Sequence, residues 1–343
     1  AMSLSFVAGL EVIGFAAKAL TADFDHLLDV MADVLKHPAF PEDEVAKLRR
    51  ELVNGLEQAN QNTQHVAYRE FRALCYPATH PYHHLTDGRM ESIQALTRDA
   101  LAAFHARYFR PDALTLAVVG DVIPAQAVDK IARVLGDWQT SGSAPEHGIP
   151  DASQPQSPAR CDTLVPGKTQ ADLVLGSVGV RRTDADYDAL NLGDLILGRL
   201  GLYGRLGAQV RDQQGLAYYV SSGIEAGIGP GPWTVRAGVN PQNLAHAVEC
   251  ILAELRRLCT EPVTREELND ACDFLTGSVA LRLETNDGIA AMLSDIELYG
   301  LELDYLQRYP QTLRAITPEQ IRAAAQKRAL HENYVLSVAG PVG

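Results

Sequence analysis

Arg211 and Tyr218 stand seven residues apart, with Gly215 between them, in the stretch RDQQGLAYYVSSG at residues 211–223. A guanidinium and a phenol are both hydrogen-bond donors. Two such donors converging on one point can hold a carbonyl oxygen or the oxyanion formed from it. The local sequence offers a way to make them converge. Val210 and Arg211 close an amphipathic run, and Gly215 supplies the left-handed residue that ends a helix. Residues 216–222 then read as a strand, rich in aromatic and β-branched side chains. A helix end folded back on a strand would bring the two side chains together. The same letters also spell a helix-capping arginine, suited to the negative end of the helix dipole, and a core tyrosine. Spacing alone leaves both roles open.

Other chemistries find less support. His80, His83 and His84 lie in the proline-broken loop YPATHPYHHLTDG. No cysteine or carboxylate stands near them at ligand spacing, so no metal is assigned there. There is no Ser-His-Asp order with a nucleophile elbow and no phosphate-binding glycine loop. The run GIGPGP before Trp233 reads as a hairpin loop. The five cysteines, Cys75, Cys161, Cys250, Cys259 and Cys272, are odd in number and form no CxxC. They read as reduced thiols, which points to the cytoplasm.

The chain has 343 residues, enough for two domains, with 30 Lys and Arg against 43 Asp and Glu. The net charge of −13 is spread along the sequence rather than massed in a tail. That disfavours nucleic acid and anionic membranes as partners and permits basic peptides. The opening AMSLSFVAGLEVIGFAAKAL is apolar, but it has no basic start and Glu11 interrupts it, so it reads as strand rather than signal peptide. No segment is long and apolar enough to span a membrane.

The elements that must carry these residues fall in a repeated order. Residues 5–20 read as one or two strands, and residues 22–36 as an amphipathic helix. A second helix opens at Pro41, and residues 64–75 continue as helix. Thr97 caps a helix with Leu101, Phe104 and Tyr108 inward. Residues 114–119 read as a buried strand and 124–136 as a helix. Residues 139–158 hold four prolines among Ser, Gly and Gln and read as a linker. Beyond it, a strand at 171–175 and a helix at 186–197 precede the Arg211 stretch. Residues 316–342 then align without gaps with residues 96–122 at an offset of 220, pairing Thr97 with Thr317, Gly120 with Gly340 and Val122 with Val342. The chain is therefore expected to be a duplicated αβ unit: 1–138 as a first domain, 139–158 as linker and 159–343 as a second domain. Residues 162–220 have no counterpart in the first half.

GRLGAQVRDQQGLAYYV resembles the second-domain signature of the pitrilysin/insulinase-type zinc metallopeptidases, the family that includes mitochondrial processing peptidase. The pattern there is roughly S-R-L-x-x-x-x-R-x-x-x-G-L-x-Y. Arg205, Leu206, Arg211, Gly215, Leu216 and Tyr218 fall on it, with Gly204 in place of the Ser. The resemblance extends over the whole chain. It implies an α+β fold in which each half is a mainly antiparallel sheet with helices packed on one face, the first half incomplete at its N-terminal side. It also implies that Arg211 and Tyr218 bind a substrate carbonyl opposite a zinc site.

That zinc site has a His-x-x-Glu-His helix in the family, and neither this motif nor its inverse occurs here. Gly55 stands where the family has a third, glutamate ligand. Glu51 and Glu57 are nearby but do not fit without a shift. The resemblance therefore implies a chain that binds no zinc and is inactive alone. It would act as the substrate-binding subunit of a two-subunit peptidase, with zinc in a homologous partner or a homodimer mate and a peptide or unfolded polypeptide as substrate. Two alternatives stand beside it: a self-sufficient zinc endopeptidase of which these residues are a trimmed part, and a non-enzymatic scaffold that keeps the fold.

Overall fold

A computed structural model describes residues 2–341 except 141, 146, 147 and 329. Val342, paired above with Val122, lies outside the described residues, as do three positions of the 139–158 linker. The first half contains β1 (Ser3–Ala8), β2 (Ile13–Lys18), α1 (Phe24–Lys36), α2 (Glu42–Ala59), α3 (Thr63–Cys75), α4 (Met90–Ala95), α5 (Arg98–Tyr108) and α6 (Pro124–Leu135). The second contains β3 (Ala159–Leu164), β4 (Ala171–Val178), α7 (Tyr187–Asp194), β5 (Ala217–Ile224), β6 (Pro232–Val239), α8 (Leu244–Thr260), α9 (Arg265–Arg282), α10 (Asn286–Leu298), α11 (Tyr305–Ala315), α12 (Pro318–Arg328) and β7 (Val335–Gly340).

The duplication is visible in these bounds. α5 and α12 begin 220 residues apart, and so do α1 and α8. The matching helices α3 and α10 have the same length, as do α2 and α9, which fits the small shift seen there in the sequence. Local capping explains the agreement. The Thr97 hydroxyl accepts from the Ala100 N–H at 3.1 Å, and the Thr317 hydroxyl accepts from the Gln320 N–H at 3.3 Å.

Five strands form one sheet in the order β3-β7-β4-β6-β5, antiparallel throughout except for the parallel pair β3 and β7. Alternate residues of β4 point to opposite faces, and all eight are buried, so both faces are covered. On one face Leu173 and Leu175 join Leu190 of α7, Ile251 and Leu255 of α8 and Ile321 of α12 in the main core. On the other, Val174 and Val178 pack with Val66, Ala67 and Phe71 of α3. A separate core gathers Phe15, Leu28, Met31, Leu35, Leu116 and Trp138, beside the antiparallel hairpin of β1 and β2.

The compact units interleave along the chain: residues 1–56, 86–148 and 280–302 form one, and 57–85, 149–279 and 303–343 the other. The expected division into 1–138 and 159–343 gives way to this arrangement because the apolar face of α3 is buried on β4. α3 and α10 hold the same place in the repeat, yet each belongs to the unit of the opposite half. Two local expectations are also corrected. Residues 114–119 form no strand among the described residues and are partly exposed rather than buried. Their counterpart β7 is held between β3 and β4, and among the described residues the first half has no equivalent of those two strands. Phe104, expected inward, is exposed and lies against the Tyr108 ring.

Candidate functional site

The helix expected at 186–197 ends as α-helix at Asp194 and continues in wider π-helical turns through Leu195–Arg199. A second π-helical segment, Gly207–Gln213, carries Arg211 in its last turn. Leu206 and Val210 are buried in the main core and fix this segment, while Arg211 faces outward. Gly215, at φ 62°, turns the chain: its N–H donates to the Arg211 carbonyl at 2.9 Å, and the Leu216 N–H donates to the Val210 carbonyl at 3.0 Å.

β5 follows at the edge of the sheet. Ala217 pairs with Val239 and Tyr219 with Gly238, so Tyr218 is the extra residue of a β-bulge. A bulge re-aims a side chain. Tyr218 is 61% exposed, which removes the core-tyrosine role left open by the sequence. The structure thus brings Arg211 and Tyr218 to exposed positions on one helix–turn–strand corner. No hydrogen bond joins their side chains, and neither side chain has an ion pair or hydrogen bond among the described residues. Two uncommitted donors beside an open strand edge can serve an incoming carbonyl oxygen.

The corner rests on polar supports that sequence reasoning missed. Arg205 is buried and donates to both carboxylate oxygens of Glu267, at 2.7 and 2.8 Å. Burial alone would push the Glu267 carboxyl up. The Arg205 guanidinium and the Thr264 N–H outweigh it and hold the group down at about 2. The signature arginine at 205 is therefore a brace to α9. The letters T-R-E-E at 264–267 carried the signal for the other half of that brace, a helix-capping box. Asp194 is fully buried and accepts from Trp233 Nε1–H at 2.9 Å, while the Ser222 hydroxyl donates to the Asp194 carbonyl at 3.1 Å. Burial pushes its carboxyl up to about 6.

Asp172, 2% exposed on β4, accepts from Tyr219 Oη–H at 2.6 Å, from Gln170 Nε2–H at 2.9 Å and from the Thr63 hydroxyl. A polar cleft of about 290 Å³ opens beside it, lined by Asn62, Thr63, Gln64, Lys168, Thr169 and Gln170.

The histidine loop is structural. His80 Nδ1 accepts from the Tyr82 N–H at 3.0 Å and its Nε2 faces the Pro150 carbonyl at 3.0 Å. His83 Nδ1 faces the Tyr76 carbonyl at 2.8 Å, and the His84 ring packs edge-on against His83. The same loop clamps the GIGPGP turn. The Tyr76 hydroxyl donates to the Pro230 carbonyl at 2.9 Å, and the Gly229 N–H donates to the Tyr82 hydroxyl at 3.1 Å. Beneath it, buried Arg72 packs against the rings of Tyr68, Tyr76 and Tyr82. Glu51, Gly55 and Glu57 are exposed on α2.

Residues 95–275, which include the whole Arg211–Tyr218 corner, match the family described as the peptidase M16 inactive domain. The chain belongs to the M16 peptidase family. Residues 3–85 match the M16 insulinase description as well. An M16 peptidase inactive domain of known structure from Pseudomonas fluorescens is 28% identical and superposes with a TM-score of 0.91, covering 100% of this chain and 81% of that one. An uncharacterized zinc protease of Mycobacterium leprae is 27% identical over 97% of this chain and 76% of its own length. The mitochondrial-processing peptidase subunit beta of Pongo abelii is 22% identical over 96% of this chain and 68% of its own. Among the described residues, no side-chain group fits the zinc of a zinc protease. The His-x-x-Glu-His motif is missing from the sequence, and no group of three or more His, Cys, Asp or Glu among the described residues could hold a metal. No helix among the described residues is long and apolar enough to cross a membrane.

Proposed function

We propose that this M16 chain is the zinc-free, substrate-binding subunit of a two-subunit peptidase. It takes an extended peptide and supplies Arg211 and Tyr218 to the carbonyl oxygen. The observation that carries this reading is the bulge that turns Tyr218 outward on an edge strand, in a chain whose described residues include no metal-holding cluster. β5 has no strand on its outer side among the described residues. A peptide adding there as a further strand would run past Tyr218. The two side chains then hold the carbonyl as charge develops on its oxygen, and the metal belongs to a homologous partner subunit. Losing one such donor typically lowers turnover by about 10²–10³.

The test is reconstitution. The purified chain should contain no stoichiometric zinc by elemental analysis and hydrolyse no peptide. Mixed with a homologous M16 chain that carries His-x-x-Glu-His, it should form a complex that cleaves a fluorogenic peptide faster than either chain alone. One tightly bound zinc per chain, or turnover by the isolated chain, would overturn the reading.

A further inference from the structure

Tyr219 and Asp172 form a row across three strands. Gly238 on β6 is the cross-strand partner of Tyr219 on β5 and of Asp172 on β4. Adjacent strands lie about 4.8 Å apart, so the Tyr219 side chain, its hydrogen bond and the Asp172 carboxylate together bridge roughly 10 Å of sheet. Only a glycine beneath lets the ring pass. A Cβ at residue 238 would stand 2.5 Å from Tyr219 Cε1 and closer still to Gln170 Nε2.

Asp172 is a fixed anchor rather than a mobile surface group. It is buried near the start of β4, where an unpaired carboxylate would be costly. Its acceptors are filled from three elements: the start of α3 through Thr63, the loop before β4 through Gln170, and β5 through Tyr219. Burial, and then the Asp172 hydrogen bond and charge, push the Tyr219 phenol well above its ordinary value, so it stays a donor.

The geometry points to Tyr219 and Asp172 as the positioning residues that lock the bulge at residue 218 and so aim Tyr218 at the substrate. This rests on the reading of Tyr218 given under Proposed function. On one side of the bulge, Ala217 is buried and paired with Val239. On the other, Tyr219 is tethered two strands away. The extra residue between these two points has one place to go, which is outward. Without the tether the bulge can move along β5, and a one-residue slip sends each side chain to the other face.

Two readouts test this. The first replaces Tyr218 by 3-fluorotyrosine and records its ¹⁹F resonance in the full chain, with and without Tyr219→Phe. The second measures binding of a fluorescein-labelled, unstructured 15-residue peptide by anisotropy to wild type, Tyr218→Phe, Tyr219→Phe and the double variant. Tyr219→Phe should shift or broaden the ¹⁹F line and weaken the peptide by about fivefold, the scale of one lost hydrogen bond. It should add nothing in the Tyr218→Phe background, because it acts through Tyr218. Asp172→Asn, which keeps an acceptor but drops the charge, should fall between. An unchanged ¹⁹F line in folded Tyr219→Phe, or a penalty equally large in both backgrounds, would overturn the positioning role. If Tyr218→Phe binds peptide like wild type, the substrate role of Tyr218 fails instead, and the ¹⁹F line still decides whether Tyr219 and Asp172 set its orientation.

Discussion

A Cβ at residue 204 would stand 2.9 Å from the Cα of Gly198 and 3.1 Å from its nitrogen. The two glycines therefore meet backbone to backbone, at the point where the π-helical turns after α7 approach the segment that carries Arg211. The family pattern has Ser at this place, and here there is no room for one. Gly204→Ser should destabilise the chain by about 1–3 kcal/mol, the usual scale of overpacking a fixed core. Thermal melting checks this, and an unchanged midpoint would show that the backbone yields freely.

Asp194 makes stability depend on pH in a defined direction. Its carboxyl titrates near 6 in the fold against an ordinary 3.8, so the folded state holds the proton more tightly. The resulting stabilisation is complete below 3.8 and is lost as pH rises through about 6. At pH 8 the loss amounts to about 3 kcal/mol, at 1.36 kcal/mol per pK unit. Asp194→Asn keeps an acceptor for Trp233 and cannot ionise. Its melting temperature relative to wild type should therefore be higher at pH 8 than at pH 5. Parallel curves across that range would place the unusual titration elsewhere.

The Arg205–Glu267 brace behaves in the opposite sense. Glu267 titrates near 2 in the fold against an ordinary 4.5, so its contribution is present above 4.5 and fades as pH falls toward 2. Glu267→Gln leaves a buried guanidinium without its counter-charge and should cost about 3 kcal/mol at pH 7. Urea midpoints of wild type and variant should draw together at pH 3. A gap of constant size would mean that the pair is held by packing rather than charge.

What the letters reveal here is mostly local. α1 and α8 were readable from helical periodicity, and α5 and α12 from a Thr that caps the first turn. The glycine stop at 215 and the strand after it were readable from equally local letters. Residues 114–119 carry strand-forming letters but lack neighbours to pair with, and no local pattern records that. The bulge at Tyr218 follows from the register of β5 on β6, and the Tyr219–Gly238–Asp172 row joins residues far apart in sequence. α3 has an ordinary amphipathic pattern, which says that one face is buried but not against which sheet.

The central claim is that Arg211 and Tyr218 act on substrate and do not support the fold. Turnover and melting temperature of Arg211→Ala, Tyr218→Phe and the double variant, each assembled with a zinc-bearing M16 partner, test it most directly. Both residues are exposed, so stability should stay within about 0.5 kcal/mol of wild type. Each single change should lower turnover by roughly a hundredfold, and the double variant should lose little more than the worse single, because both donors serve one oxygen. A stable double variant that turns over peptide at the wild-type rate would contradict the claim.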